Sequence, residues 1–347
     1  MSADTNLAAD ANTSTETPAS PPAAQPAVLR AGSGSALAVG PLGVTVAGIT
    51  FRNPVVLASG TAGYGYELAE VVDLDAVGGV SSKAVSVEPR KGAAPLRVGE
   101  FAGGMINAVG LANPGMHEVK REHLAYMTRE HPGTRVLVNV IGFSIEEFAR
   151  VIAHLDDAPG HVAYELNVSC PNTKAGGMEF GADPTALREV VSSARAATKR
   201  PLFVKLSPSL GAGLVPAAQV AIDAGADALT LVNTMPGLVV DVNSRKPRLG
   251  FGSGGVSGPA LLPIGVLATW RVTRALPGVP VCGLGGVSTA SDALQYVMAG
   301  ASLVGVGTAM LRDPRAPERI VRDLGRWCRD HNVSDLASLR GTLEWPS

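Results

Sequence analysis

Eight short β-rich runs, separated by segments with a helical pattern, constrain the fold of this chain more than any other feature. The runs are Val55–Ala58, Gly79–Ala84, Arg135–Val140, Val162–Val168, Leu202–Leu206, Ala228–Val232, Val281–Gly283 and Leu303–Val306. Such an alternation is typical of repeated βα units. Eight parallel strands in about 270 residues predict an α/β fold, a closed (β/α)8 TIM barrel, rather than an open doubly wound sheet.

The segments before the first barrel strand divide the chain into two regions. Residues 1–36 are dominated by Ala, Pro, Thr and Ser, with almost none of the side chains that form cores. They cannot offset the entropy of ordering, so we predict a disordered tail. A β-hairpin is expected between Leu37 and Phe51. Residues 37–347 are therefore predicted to form the barrel domain.

Charge and cysteine content exclude several classes of function. The net charge of −1 gives no electrostatic reason to expect nucleic acid as a partner. The three cysteines, Cys170, Cys282 and Cys328, are widely spaced and form no CxxC motif. They predict neither a disulfide framework nor a metal or cluster site, and they fit a reducing cytoplasm. We find no pattern of a signal peptide or membrane anchor.

Polar residues and glycines stand at the carboxyl ends of the predicted strands. They are Ser59-Gly60, Lys83, Asn139, Asn167 with Ser169-Cys170, Lys205, Asn233-Thr234, Gly285-Gly286 and Gly307-Thr308. Asn and Gly are common wherever a strand turns into a loop, so each has an ordinary structural explanation. Their recurrence at all eight ends favours a functional site, because barrel enzymes carry their chemistry at that face.

Two long excursions interrupt the alternation, Val85–Asn113 and Pro236–Pro259, and both are rich in glycine and basic residues. Loops of this length over a barrel mouth are usually lids or binding loops. We therefore expect them to cover the C-terminal face. The alternative is a pair of disordered insertions.

Cys170 follows an apolar run and is bracketed by Asn167 and Asn172. A free thiol ionises with a pKa near about 8.5, which suits a general base in mildly alkaline water. The alternative is that Cys170 is a small buried hydrophobe, the commoner role of a lone intracellular cysteine.

The ends of the last two strands predict a phosphate site. Glycines let backbone N–H groups approach an anion, and the helix that follows adds a partial positive charge. The anion could belong to a phosphorylated substrate or to a mononucleotide cofactor. No GxGxxG follows the first strand, so this chain is not expected to bind NAD itself. Lys205 could neutralise a reduced cofactor ring or a carboxylate, or form a rim salt bridge.

Several motifs together resemble the class 1 dihydroorotate dehydrogenases, in the same order along the chain from about Leu37 to Pro314. They are ELNVSCPN (Glu165–Asn172), SSKA (Ser81–Ala84), NAVGL (Asn107–Leu111), FVKLSP (Phe203–Pro208), VNT (Val232–Thr234), Gly285–Gly286 and Gly307–Thr308.

Within that class, the segments Asn233–Asp241, Ser244–Pro247 and Gly254–Pro259 look like the class 1B catalytic subunit. This resemblance implies FMN in the barrel. It also implies a separate electron-transfer subunit that carries FAD and a [2Fe–2S] cluster and passes electrons to NAD. We expect a homodimer that joins this subunit as a heterotetramer.

The resemblance assigns roles residue by residue. Cys170 would remove a proton from C5 of dihydroorotate while hydride leaves C6 for the flavin, which yields orotate for pyrimidine biosynthesis. Lys205, the second catalytic residue, would lie near the pyrimidine end of the flavin. The residues implied to bind FMN are Ser59, Lys83, Ala84, Asn139, Asn167, Lys205, Val232, Gly258, Gly285, Gly286, Gly307 and Thr308. Those implied to bind substrate are Lys83, Asn107, Ala108, Val109, Gly110, Leu111, Asn167, Asn172, Asn233 and Thr234.

Three alternatives remain open. A dihydropyrimidine dehydrogenase unit shares the flavin barrel and a cysteine acid/base, but it acts on uracil or thymine. The class 1A enzymes use fumarate as the acceptor. A non-catalytic barrel that keeps the flavin site is also conceivable, since fold alone does not establish activity. The quinone-linked class 2 enzymes have a membrane-associated N-terminal helix and a serine base, neither of which we find in this sequence.

Overall fold

The computed structural model describes residues 40–169, 171–172 and 178–346, with the side chains of Pro171, Asn172 and Met178 left aside. Cys170 and the predicted tail thus lie outside the described residues. The proposed boundary between tail and domain stays a prediction.

The strands follow the predicted runs closely. In chain order they are β1 (Val44–Val46), β2 (Ile49–Phe51), β3 (Val55–Leu57), β4 (Gly79–Ser81), β5 (Val98–Phe101), β6 (Gly104–Asn107), β7 (Arg135–Val140), β8 (Ala163–Asn167), β9 (Pro171–Asn172), β10 (Met178–Glu179), β11 (Leu202–Leu206), β12 (Ala228–Leu231), β13 (Met235–Gly237), β14 (Val240–Asp241), β15 (Lys246–Pro247), β16 (Gly254–Ser257), β17 (Val281–Leu284) and β18 (Leu303–Val306).

Eight of these strands pair in parallel and close a barrel. Around the barrel their order is β3, β4, β7, β8, β11, β12, β17 and β18, and β18 pairs with β3 to complete the ring. They are the eight predicted strands, with ends that differ by at most three residues. The predicted (β/α)8 barrel is confirmed.

Helices cover the outside of the barrel. They are α1 (Met116–Glu118), α2 (Ala125–Glu130), α3 (Ile145–Leu155), α4 (Pro184–Ala197), α5 (Leu214–Asp223), α6 (Leu262–Ala275), α7 (Ala290–Met298), α8 (Thr308–Arg312) and α9 (Ala316–Asp330). A π-helical segment, Val119–Leu124, joins α1 to α2. None of the described helices has the length and apolar character needed to cross a bilayer.

The first βα unit departs from the predicted pattern. Residues 58–78, all of which are described, connect β3 to β4 through turns without a regular helix. Gly60, Gly63 and Gly65 adopt φ values of 86°, 58° and 103°. A right-handed helix cannot pass through these conformations, so the glycines exclude a helix from residues 60–65.

An apolar layer closes the N-terminal end of the barrel. Its buried side chains come from the starts of the barrel strands and from the hairpin β1–β2, which packs Val46, Ile49 and Phe51 against them. Phe203 is the largest of the barrel residues in this layer, and it is fully buried. Among the described residues, the barrel is therefore open to a site at its C-terminal end.

The two long excursions are ordered and pair with each other. Strands β5 and β6 from the first, and β13 and β16 from the second, form an antiparallel sheet in the order β13-β16-β6-β5. Asn107 lies opposite Gly255, and Met105 lies opposite Ser257. The alternative of two disordered insertions is therefore wrong, and the expected long loops over the C-terminal face are confirmed.

We predict that Phe203→Ala destabilises the protein by about 3 to 5 kcal/mol, because it leaves a cavity in the closed end of the barrel. Phe251, which is 71% exposed, is the matched control. Phe251→Ala should change the unfolding free energy by no more than about 0.5 kcal/mol. Urea unfolding of both variants measures the difference, and equal losses would contradict the packing described.

Candidate active site

A cavity of about 700 Å³ opens at the C-terminal end of the barrel. This volume lies in the range of small-molecule and cofactor sites. Strand ends form its walls, and residues of the β13-β16-β6-β5 sheet cover it. The predicted site residues in its lining are Ser59, Lys83, Ala84, Asn107, Ala108, Val109, Gly110, Leu111, Asn167, Lys205, Val232, Asn233, Thr234, Gly258, Gly285, Gly286, Gly307 and Thr308.

Three predicted site residues are not placed in this lining. Asn139 is fully buried, outside the lining, and its Nδ2 donates to Glu165 Oε1 at 2.6 Å. Its Oδ1 has no hydrogen-bond partner among the described residues. Cys170 lies outside the described residues, and only the backbone of Asn172, in β9, is described. Ser169, the neighbour of Cys170, lines the cavity.

Glycine turns form one side of the cavity, after β17 and β18. Gly285 and Gly286 have φ values of 128° and 74°, which favour glycine strongly. Tyr296 Oη donates to the Gly285 carbonyl at 2.7 Å and so fixes the turn. After β18, Thr308 donates its hydroxyl to Ser257 Oγ at 2.8 Å. Backbone at these turns can approach an anion closely, as the sequence predicted for a phosphate.

Cations and amides line the cavity from other strand ends. Lys83, Asn167 and Lys205 come from the ends of β4, β8 and β11 and line the cavity. Asn233 Nδ2 donates to Asn167 Oδ1 at 3.2 Å, so the two amides orient each other. Amide groups offer both donors and acceptors, which suits an imide edge or a carboxylate.

The segment Asn107–Leu111 is held by a buried asparagine that the sequence did not single out. Asn113 Nδ2 donates to the Leu111 carbonyl at 2.9 Å and to Ser86 Oγ at 2.8 Å. Its Oδ1 accepts from the Gly115 backbone N–H at 2.9 Å. Leu111 has a φ of 58°, an uncommon conformation for a branched side chain. Asn113 thus stabilises a strained turn that brings residues 107–111 into the cavity.

A buried carboxylate lies inside the barrel and was not predicted as a site residue. Glu165 is 3% exposed, and its Oε1 accepts from Ser81 Oγ at 2.9 Å as well as from Asn139. Its Oε2 accepts from Thr230 Oγ1 at 2.9 Å. Lys205 Nζ lies 3.8 Å from Oε1. The signal in the sequence was a charged residue inside an apolar strand, which is rare without a partner.

Glu179 is a second carboxylate that the sequence reasoning missed, and it lines the cavity beside Ser207. Burial raises the pKa of Glu179, and a hydrogen bond with the Ser207 side chain acts in the opposite direction. The antiparallel pair β9–β10 sets Glu179 opposite Pro171.

The cysteines with described positions have no place at the cavity surface. Cys282 and Cys328 are buried, free thiols, and neither lines the cavity. Burial raises the pKa of the Cys282 thiol, and the nearby Glu165 carboxylate raises it further. Burial also raises the pKa of Cys328. Raised values make both thiols poor bases near neutral pH.

Comparison with known proteins identifies relatives over most of the chain. The family model described as dihydroorotate dehydrogenase matches residues 41–327. A protein of Pelobacter propionicus named dihydroorotate dehydrogenase B (NAD(+)), catalytic subunit, is 44% identical over 87% of this chain and 98% of its own length. A protein of Solibacter usitatus, provisionally named dihydroorotate dehydrogenase A (fumarate), is 46% identical over 88% of this chain and 99% of its own length.

The fold has a match among solved structures. The crystal structure of DHODH from Eimeria tenella in complex with ferulenol superposes with a TM-score of 0.74. The match covers 89% of this chain and 90% of the Eimeria tenella chain, at 22% sequence identity. At this identity the match supports the fold alone.

We predict that Gly286→Ala weakens FMN binding by roughly tenfold or more, because an added Cβ disturbs the turn that would approach the phosphate. That Cβ would come within 2.5 Å of the Leu262 backbone nitrogen. Gly278 is the control, since it has a φ of 87° but open space around it. Gly278→Ala carries the same kind of backbone strain away from the cavity and should keep wild-type affinity. Fluorescence titration of FMN with each apoprotein tests this, and equal affinities would contradict it.

Proposed function

This chain belongs to the dihydroorotate dehydrogenase family, and we propose that it is the catalytic subunit that oxidises (S)-dihydroorotate to orotate in pyrimidine biosynthesis. The observation that carries the proposal is the convergence of separate motifs on one cavity. Lys83, Asn107, Asn167, Lys205 and Asn233 are far apart in sequence and line the same space.

The residues present fit FMN. Gly285, Gly286 and Gly307 leave backbone open to a phosphate, and Lys205 offers a positive charge in the same cavity. Asn139 Oδ1 is a buried acceptor with no partner among the described residues, but it lies outside the cavity lining and does not bear on this fit. When bound, FMN supplies a two-electron acceptor for hydride from C6 of the substrate.

The chain's own residues would hold the substrate and move its proton. Lys83 gives a counter-charge for the dihydroorotate carboxylate, and the amides of Asn167 and Asn233 can bind the imide edge. Cys170 would accept the proton from C5. Ser169, the residue before it, lines the cavity, which supports this role.

A neutral pyrimidine is the second candidate substrate. A uracil or thymine ring could use the same amides, but it would leave the Lys83 ammonium without an anionic partner. Dihydroorotate can bind the amides through its imide edge and pair its carboxylate with the Lys83 ammonium. We therefore favour it over the substrates of a dihydropyrimidine dehydrogenase.

We further propose that electrons leave through a partner subunit that carries FAD and a [2Fe–2S] cluster and reduces NAD. The name of the Pelobacter propionicus relative supports NAD as the acceptor and a further subunit, while FAD and the cluster follow from the resemblance alone. The name of the Solibacter usitatus relative supports fumarate instead, and that remains the second candidate acceptor. A heterotetramer built on a homodimer, in the cytoplasm, completes the proposal.

We predict that Cys170→Ser keeps bound FMN and slows flavin reduction by dihydroorotate by roughly a thousandfold or more near neutral pH, since a serine hydroxyl ionises far less readily than a thiol. Stopped-flow absorbance under anaerobic conditions measures the rate. Cys328→Ser is the control, because this buried thiol lies outside the cavity lining. A near-normal rate for Cys170→Ser would remove Cys170 from the role of base.

We also predict that the isolated chain, supplied with FMN and dihydroorotate, reduces neither fumarate nor NAD at a useful rate. Addition of the electron-transfer subunit should restore NADH formation. Orotate absorbance and NADH absorbance, followed separately, give the two readouts. Rapid orotate formation by the isolated chain with fumarate would assign the acceptor of class 1A instead.

A further inference from the structure

Lys205 and Glu165 form an ion pair inside the barrel. Lys205 Nζ lies 3.8 Å from Glu165 Oε1, and both side chains are buried. A buried charge without a partner is strongly destabilising. Each of the two charged groups therefore lowers the free-energy cost of burying the other. The separation is too long for a hydrogen bond. The pair therefore balances charge without a direct donor-acceptor contact.

Three neutral groups account for this separation. Ser81, Asn139 and Thr230, on strands β4, β7 and β12, donate to the Glu165 carboxylate at 2.9, 2.6 and 2.9 Å. These bonds occupy both carboxylate oxygens and fix them in position. Lys205 comes from β11 and extends into the cavity lining.

The ammonium group of Lys205 keeps its donors for a ligand. Among the described residues, Nζ has no hydrogen-bond acceptor, and its one ionic contact is the 3.8 Å approach to Glu165. An ammonium group has three donors and is expensive to bury with all of them unused. The arrangement thus favours a ligand that accepts hydrogen bonds from Lys205 inside the cavity.

Among the described residues, Cys282 is a further titratable group that interacts with this pair. It lies on β17 and is buried. Burial and the Glu165 carboxylate both raise the pKa of its thiol, so Cys282 adds no charge. The net charge of the pair is therefore set by Glu165 and Lys205.

We propose that Glu165 is a positioning residue that sets the redox balance of the bound flavin through Lys205. Its carboxylate partly cancels the ammonium charge, while Ser81, Asn139 and Thr230 hold it back so that the ammonium donors remain free for the cofactor. This inference rests on the proposed function only in that FMN must bind; it does not require dihydroorotate as the substrate.

The test is the midpoint potential of bound FMN, measured at pH 7 by anaerobic titration with dithionite and reference dyes. Reduced flavin is more negative than oxidised flavin, so the uncompensated Lys205 charge in Glu165→Gln should stabilise it. We expect the ratio of reduced to oxidised flavin at a fixed potential to rise at least about tenfold, a shift of roughly 30 mV for two electrons.

Two further variants separate charge from packing. Thr230→Val removes one hydrogen bond to Glu165 but leaves the carboxylate, and it should change the ratio less than about twofold if charge dominates. Glu165→Gln with Lys205→Met removes both charges and should lower the potential below the wild-type value. This double variant holds no unpaired charge, so it serves even if Glu165→Gln alone does not fold.

The inference is overturned if Glu165→Gln leaves the potential unchanged, if Thr230→Val shifts it as much, or if the double variant matches wild type. Because the reductant is chemical, these results are independent of substrate. A protein that binds FMN but is not reduced by dihydroorotate would overturn the proposed function and leave this measurement valid.

Discussion

Side chains alternate along the barrel strands, and the inward-facing ones form three levels inside the barrel: an apolar layer, a polar network and the cavity lining. The rest of the structure depends on this alternation. Along β8, Ala163 belongs to the apolar layer, Glu165 to the polar network and Asn167 to the cavity lining. On the neighbouring strand β11, Phe203 and Lys205 repeat this progression. Because strand side chains alternate with a period of two, a shift of one residue would turn this whole set outward. The strand register that closes the barrel therefore also places the cavity-lining residues at its C-terminal end.

The Glu165 carboxylate in the middle level must be satisfied within the protein, because it is buried. A carboxylate in that position needs donors on several strands at once, and Ser81, Asn139 and Thr230 supply them. Their bonds restrain four strands of the barrel around one charge. This restraint keeps Lys205 available to the cavity. The same hydrogen bonds that stabilise the buried Glu165 carboxylate therefore also leave Lys205 free to contact a ligand in the cavity.

The sequence predicts the local features and misses those that depend on pairing between distant segments. The eight strands and the glycine turns after β17 and β18 were predictable because they follow from short β-rich runs and from glycine conformation. Glu165 was visible only as part of a motif, since its three donors become neighbours when the barrel closes. No helix begins directly after β3, because Gly63 and Gly65 adopt conformations that no helix allows. The sheet that joins β6 to β16 unites segments about 150 residues apart, which no local pattern reveals.

The most direct test of the central claim is an anaerobic visible spectrum of the purified, FMN-loaded protein before and after addition of dihydroorotate. We expect an oxidised flavin band near roughly 450 nm that bleaches on addition of this substrate, with orotate as the product. A flavin band that persists with dihydroorotate and bleaches with dihydrouracil would contradict the assigned substrate. A chain that binds no FMN would contradict the assigned cofactor site.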